Sequence, residues 1–173
     1  SDKFNLTTEA YYKKSNNLIE YKTGLDEDIY NQIGDWENLV ESGGEGESYG
    51  WETLLQKDYG KFKGYFSYTL SWNFRQFDNI NLGKKYPFTY DRRNDIAIVL
   101  RYQLSKKTTL TGSWIYQTGT AVTLPIASAP FPKNFGANTI VTQDGTKIPI
   151  LSSYYVYDGK NNRRLPAYHR TDI

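Results

Sequence analysis

The sequence predicts an all-β fold: an antiparallel meander of long strands forming a segment of a transmembrane β-barrel. Three observations predict it. Positions 62–75 (FKGYFSYTLSWNFR) alternate Phe62, Gly64, Phe66, Tyr68, Leu70, Trp72 and Phe74 with Lys63, Tyr65, Ser67, Thr69, Ser71, Asn73 and Arg75. That is period two, so the run is a strand with one apolar aromatic face and one polar face. It exceeds the about 5–6 residues usual in soluble sheets and suffices for a bilayer, which takes about 9–11 tilted residues. Second, the gaps between alternating runs go long, short, long, short, long, as where periplasmic turns are short and extracellular loops long. Third, aromatic residues are 16% of the chain, with 16 Tyr and 4 Trp, which suits strands and interfacial girdles.

In chain order, 3–13 alternates Phe4, Leu6, Thr8, Ala10 and Tyr12 with Asn5, Thr7, Glu9, Tyr11 and Lys13. It predicts a strand that can run on, past Asn16 and Asn17, through 18–21. From 23 to about 46 the pattern dissolves into an acidic loop carrying Asp26, Glu27, Asp28, Asp35, Glu37, Glu41 and Glu45. Alternation resumes over 47–57. Residues 58–61 (DYGK) predict a tight turn in which Gly60 takes positive φ. The 62–75 strand follows, then a loop over 78–93. Positions 95–104 and 108–118 predict two more strands around a turn at 105–107. Residues 119–164 predict a long loop in which 148–157 forms a small hairpin arm. The 6 prolines all fall in predicted loops or at a strand start, where no ladder hydrogen bond is lost.

The 173 residues are one domain or a piece of one. Mean hydropathy is −0.69, and no stretch approaches the roughly 18 apolar residues of a membrane helix. A barrel stays open, because half of each of its strands is polar. The net charge of +2 with scattered basic residues predicts no nucleic-acid partner. Without cysteine there is no disulfide framework, thiolate metal site or Cys nucleophile. The chain has no Met and shows no signal peptide, and 165–173 reads as a loop running into a new strand, so a processed precursor or a fragment is expected.

Nothing here predicts an enzyme or a cofactor. His169 is the only histidine and reads as a structural hydrogen-bonding group. The glycines at 44–50 precede a strand, not the helix a dinucleotide loop requires. Asp26, Glu27 and Asp28 lack EF-hand spacing and read as a solvated acidic loop. A soluble β-sandwich also alternates, with its apolar face packed inward. Against it stand the ordered loop lengths and the aromatic residues toward loop-side strand ends, as at Trp72, Phe74, Trp114 and Tyr116. In the barrel reading Phe62, Phe66, Leu70, Trp72, Phe74, Ile96, Ile98, Leu100, Leu110 and Trp114 face lipid. The polar candidates for the lumen are Glu52, Lys63, Asn73, Arg75, Arg101 and Gln117. Candidate ligand contacts in the loops are Asp35, Trp36, Tyr154, Tyr155 and Tyr157, because exposed aromatics stack on sugars or rigid ligands. The cluster at 91–95 (DRRND) predicts cross-strand ion pairing.

Several runs resemble one family. GESYGWE at 46–52, YGKFKGYFSYTLS at 59–71, INLGKKYPF at 80–88, YDRRNDI at 90–96, WIYQTGT at 114–120 with TLP at 123–125, and PAYHRTD at 166–172 are together similar to the C-terminal barrel region of TonB-dependent outer-membrane receptors. The Bacteroidetes type, with a carboxypeptidase-regulatory-like N-terminal domain, is the nearest in character. Asn94, where His is commoner, and Thr171, where Leu is commoner, depart from the pattern. The resemblance implies a plugged 22-stranded barrel, with residues 1–173 a late piece of it and the plug and last strands lying outside. It implies a bacterial outer-membrane location, a bound nutrient of unidentified kind, and partnership with outer-membrane lipid, the protein's own plug and the TonB complex. The alternatives are a soluble extracellular β-domain that binds carbohydrate and a passive porin.

Overall fold

The computed structural model describes residues 3–22, 36–132, 139–141, 147–149 and 151–173; the side chains of 36, 38, 130–132, 139–141, 147–149 and 151–154 lie outside the description. Its strands are β1 (Asn5–Tyr21), β2 (Val40–Lys57), β3 (Phe62–Gln76), β4 (Tyr86–Pro87), β5 (Asn94–Gln103), β6 (Thr109–Gln117), β7 (Ala121–Val122), β8 (Ala127–Pro132), β9 (Thr139–Val141), β10 (Lys147–Pro149), β11 (Leu151–Val156), β12 (Arg163–Arg164) and β13 (Tyr168–Asp172). The main sheet runs β1-β2-β3-β5-β6-β13, antiparallel throughout, with β4 also on β3. The fold is therefore an all-β antiparallel meander. Among the described residues no helix is long and apolar enough to cross a membrane.

Register fixes the faces, because residues paired across a ladder share one. Leu6–Leu55–Phe66–Ile98–Trp114–Thr171 forms one continuous row. Thr8–Thr53–Tyr68–Ile96–Tyr116–His169 is the next. All ten residues expected to face lipid stand on this one side. The opposite side carries Glu9–Glu52–Thr69–Asp95–Gln117–Tyr168 and Lys63–Arg101–Thr111. All six lumen candidates stand there. Two polar neighbours satisfy donors on the apolar side: Trp51 Nε1 donates to Thr8 Oγ1, and Tyr68 Oη donates to Asn94 Oδ1 at 2.8 Å.

Three expectations need correction. β2 starts at Val40, not at 47, so the first loop is shorter than 23–46. Register shifts lie between Ser15 and Leu18 and between Leu18 and Glu20, with positive φ at Asn17 (57°) and Gly43 (79°). A bulge adds a residue to one strand and shifts its alternation, so the period-two pattern loses phase while the ladder continues. Gly44 is required there: a Cβ would lie 2.2 Å from the Phe77 ring. The second correction concerns the arm. β11 pairs with β8 and β10 with β9, so the strands within 147–156 pair with 127–132 and 139–141, not with each other as a local hairpin within 148–157. The third follows from it, since Pro87, Pro130, Pro132 and Pro149 lie within β4, β8 and β10. Two-residue strands and two-stranded ribbons have free edges, where a missing N–H costs no bond.

The sheet is a single layer. Among the described residues nothing covers its apolar side: Leu6 is 65% exposed, Trp51 56%, and Leu110 51%. The hydrophobic cluster lies at the loop end of the opposite face, where Phe77, Ile80 and Tyr86 are buried with Leu18 against them.

Candidate functional site

Two turns close the sheet at one end, 58–61 and 104–108; the loops rise from the other. At the loop end the polar face is capped by side chains from far-apart segments. Segment 86–93 continues alongside β3: Phe88 N–H donates to Asn73 O at 2.9 Å and Ser71 N–H to Arg93 O at 3.1 Å. Between these bonds the Asn73 N–H is taken by a side chain, the Oδ1 of Asp91, at 2.7 Å. Asp91 is fully buried. Its Oδ2 accepts from Arg93 Nη2 at 3.2 Å and from Arg164 Nη2, while Arg164 Nη1 also reaches the Asp91 carbonyl at 2.6 Å. Arg93 lies over the Trp72 ring at 4.6 Å, which places a π face beside a guanidinium whose buried Nη1 has no hydrogen-bond acceptor among the described residues. The 91–95 cluster thus forms ion pairs at Asp91, locally with Arg93 and with Arg164 of β12, although Asp91 itself lies in no strand, and Gln117 joins the cluster by accepting from Arg92 at 2.5 Å and donating to Asp95 at 2.8 Å.

A second network joins the first and last parts of the chain. Arg75 Nη1 donates to Glu20 Oε2 at 3.1 Å and to Ile19 O at 3.3 Å, and its guanidinium lies 3.6 Å from the Phe88 ring centre. Lys160 Nζ stands 3.4 Å from Glu20 Oε1 and donates to Tyr21 O at 2.7 Å. Asn161, also buried, donates Nδ2 to Pro87 O at 2.7 Å and N–H to Thr123 Oγ1 at 3.0 Å. The turn at 158–161 therefore straps the loop end, since β1 and β6 are four strand spacings apart, about 19 Å along the sheet. Burial lowers the Lys160 pKa against the pull of Glu20 in the other direction, and burial followed by the Glu20 charge raises that of Tyr86. The Tyr86 hydroxyl is buried and unpaired among the described residues.

Beside this network an open cleft of about 440 Å³ is lined by Glu20, Arg75, Phe88 and Tyr90, with Tyr21 at its wall. Phe88 and Tyr90 meet edge to face at 5.2 Å. A smaller basic depression lies at the turn end between Lys61, Lys63 and Arg101.

Of the six lumen candidates, Arg75, Asn73 and Gln117 belong to the cap, Asn73 through its backbone. Glu52 stands between Glu9 and Thr69 in its row; Lys63 pairs with Asp58 at 3.0 Å, and Arg101 lies opposite Lys63. Of the loop candidates, Asp35 lies outside the described residues, as do the side chains of Trp36 and Tyr154. Tyr155 is 51% exposed and Tyr157 39%, on or just past β11 of the arm, and neither lines the cleft. Sequence reasoning missed Glu20, Phe88, Lys160, Asn161 and Arg164. Glu20 and Lys160 are too far apart in sequence for any spacing rule; only the uneven charge at 91–95 marked the Asp91 hub. Among the described residues no group of three or more His, Cys, Asp or Glu converges as a metal centre would. Comparison with protein-family models, curated proteins and solved structures found no match to this chain.

Proposed function

We propose that the sheet is part of a transmembrane β-barrel in a bacterial outer membrane, and that the protein is a TonB-dependent receptor taking up a scarce nutrient. The observation that carries this reading is the uncovered apolar side of a single-layer sheet built from strands as long as 17, 18 and 15 residues. In water such a face needs a second layer; in a bilayer, lipid supplies it. Its chemistry is graded as an outer wall requires. From Phe62 to Phe74 the face climbs about 29 Å, at about 3.4 Å per residue and a tilt of about 45°. Tyr49 stacks on Trp72 at 5.3 Å and Trp114 on Tyr116 at 6.1 Å toward the loop end, where an aromatic girdle belongs. Beyond them the side turns charged: Glu45 pairs with Lys14 at 3.5 Å, and Glu47 with Lys85. The polar side then lines a lumen, and the capped loop end faces the medium. Active import rests on the family resemblance of the sequence motifs.

The test is assembly. Purified protein should need detergent or lipid to stay monodisperse, and single-cysteine probes at Phe66, Leu70 and Ile98 should report hydrocarbon while Ser67 and Thr69 report water. Well-folded, monodisperse protein recovered from buffer without detergent would overturn the reading, as would lipid at Ser67 and Thr69.

A further inference from the structure

We propose that the cleft between β1, β3 and segment 86–90 binds a small oxyanion carried on a flat ring, held by Arg75 and stacked on Tyr90, with Lys160 behind the cleft wall drawing Glu20 away from Arg75. This rests on the reading of the loop end as the ligand-receiving end. Charge counting motivates it. One carboxylate, Glu20, serves two cations, and all three side chains are largely withdrawn from water: Glu20 is 13% exposed, Arg75 20% and Lys160 11%. The trio carries a surplus positive charge in a place where an uncompensated charge is costly. Among the described residues, three further acids are committed elsewhere. Asp91 serves Arg93 and Arg164, Asp158 serves Arg163 and Asn162, and Glu41 accepts from Asn79. The lowered pKa of Lys160 fits a cation whose single carboxylate does not offset its burial.

The geometry says what kind of anion. Arg75 spends Nη1 on Glu20 and Ile19 O; among the described residues its other donors meet no acceptor, and Arg75 lines the open cleft. A planar fork of that kind suits a carboxylate or a phosphate ester. The walls add a body to the anion. Tyr90 is 71% exposed and Tyr21 64%, and both line the cleft. Phe88 already holds the Arg75 face at 3.6 Å, which leaves Tyr90, with Tyr21 beside it, open to a guest. An aromatic ring stacks there, and its oxyanion reaches Arg75, in the field of Lys160 behind Glu20.

The test uses membrane-assembled protein in lipid nanodiscs, with assembly scored first so that failure of the barrel reading is seen separately. Benzoate, phenyl phosphate, neutral benzamide and inorganic phosphate are titrated by ligand-observed NMR. We expect benzoate or phenyl phosphate to bind at least about tenfold more tightly than benzamide, as the loss of a charge-assisted hydrogen bond implies; the preference between the two identifies the oxyanion. Lys160→Gln should remove about tenfold or more of that affinity, Tyr90→Ala should weaken both ring-bearing anions, and Lys107→Gln in the far turn should leave them unchanged. Lys160 lies in a loop and Tyr90 is exposed, so these variants report on binding even where Arg75→Gln fails to assemble. Equal binding of benzoate and benzamide overturns the proposal, as does full affinity in Lys160→Gln. Binding that emerges only when Asp26, Glu27 and Asp28 are neutralised together also overturns it, because the chain's own carboxylates then fill the position.

Discussion

The strands of the main sheet and the cap at their loop end handle apolar and charged groups in opposite ways. Along the sheet, Leu6, Trp51, Phe66 and Leu110 stay exposed within the chain, and their stabilisation has to come from the surroundings. In the cap, Phe77, Ile80 and Tyr86 are buried by the chain itself, with Asp91 and Asn161 buried among hydrogen-bond partners. The sheet depends on its solvent; the cap depends on pairs distant in sequence. A change in either region should show which rule governs it.

The largest expected effect is in the cap. Asp91→Ala strips the shared acceptor from Arg93, Arg164 and the Asn73 N–H at once. Breaking a buried ion pair costs about 3–5 kcal/mol. The lower end applies, because the guanidiniums keep 25% and 32% exposure. The strap should loosen while the strands remain, so protease should cut between 157 and 165 faster in the variant, with the main sheet resistant. Unchanged cleavage would mean that the hub does not hold the strap.

The sheet has the next largest effect, and its sign depends on face. Leu70→Arg places a charge on the apolar side, at about 2–4 kcal/mol near a bilayer midplane. Thr69→Arg puts the same charge on the polar side, beside Glu52 and Asp95 in its row, at far smaller cost. Membrane assembly of the two variants should therefore diverge. Equal tolerance would contradict the two-faced sheet itself.

This difference also explains what could be read in advance. Period two survives wherever a strand is continuous, so 62–75 revealed its faces, and the turns at 58–61 and 105–107 were legible from their residues. The same signal failed over 40–46, because the shifts around Ser15, Leu18 and Glu20 and the positive φ of Gly43 break the phase. It failed again in the arm, where Pro130 and Pro132 argued against a strand that the ribbon's free edge permits. The cap was largely illegible. Lys160 meets Glu20, and Arg164 meets Asp91, only because β12 and β13 return alongside β7 and β6. No local rule joins such residues. Arg75 was reached through strand facing alone and its partner Glu20 was not, whereas the partners of Gln117, Arg92 and Asp95, lay in the marked 91–95 cluster.

The smallest effect tests the one defect inside the cap. Tyr86 is buried with an unpaired hydroxyl, and leaving such a group unsatisfied costs about 1–3 kcal/mol. Tyr86→Phe removes the hydroxyl and keeps the ring against Phe77 and Ile80, so the variant should be equally stable or slightly more so at neutral pH. Alkali separates the two proteins further. The folded-state pKa of Tyr86 is raised above the ordinary value of 10.0, first by burial and then by the Glu20 charge. Above that pH the unfolded chain gives up the Tyr86 proton while the folded chain holds it. The folded state then binds more protons than the unfolded one, and stability falls as pH rises. The contribution is fully present below about pH 10 and is lost progressively above it. Lys160 works in the opposite direction. Its lowered pKa means that the unfolded chain binds more protons as pH climbs toward 10.5, so its share of stability rises over that window. Thermal unfolding of the membrane-assembled protein from pH 8 to 11 should show a smaller alkaline loss in Tyr86→Phe than in the parent. In Lys160→Gln the small gain below about pH 10.5 should disappear. Parallel curves for parent and Tyr86→Phe would place the Tyr86 hydroxyl in contact with water.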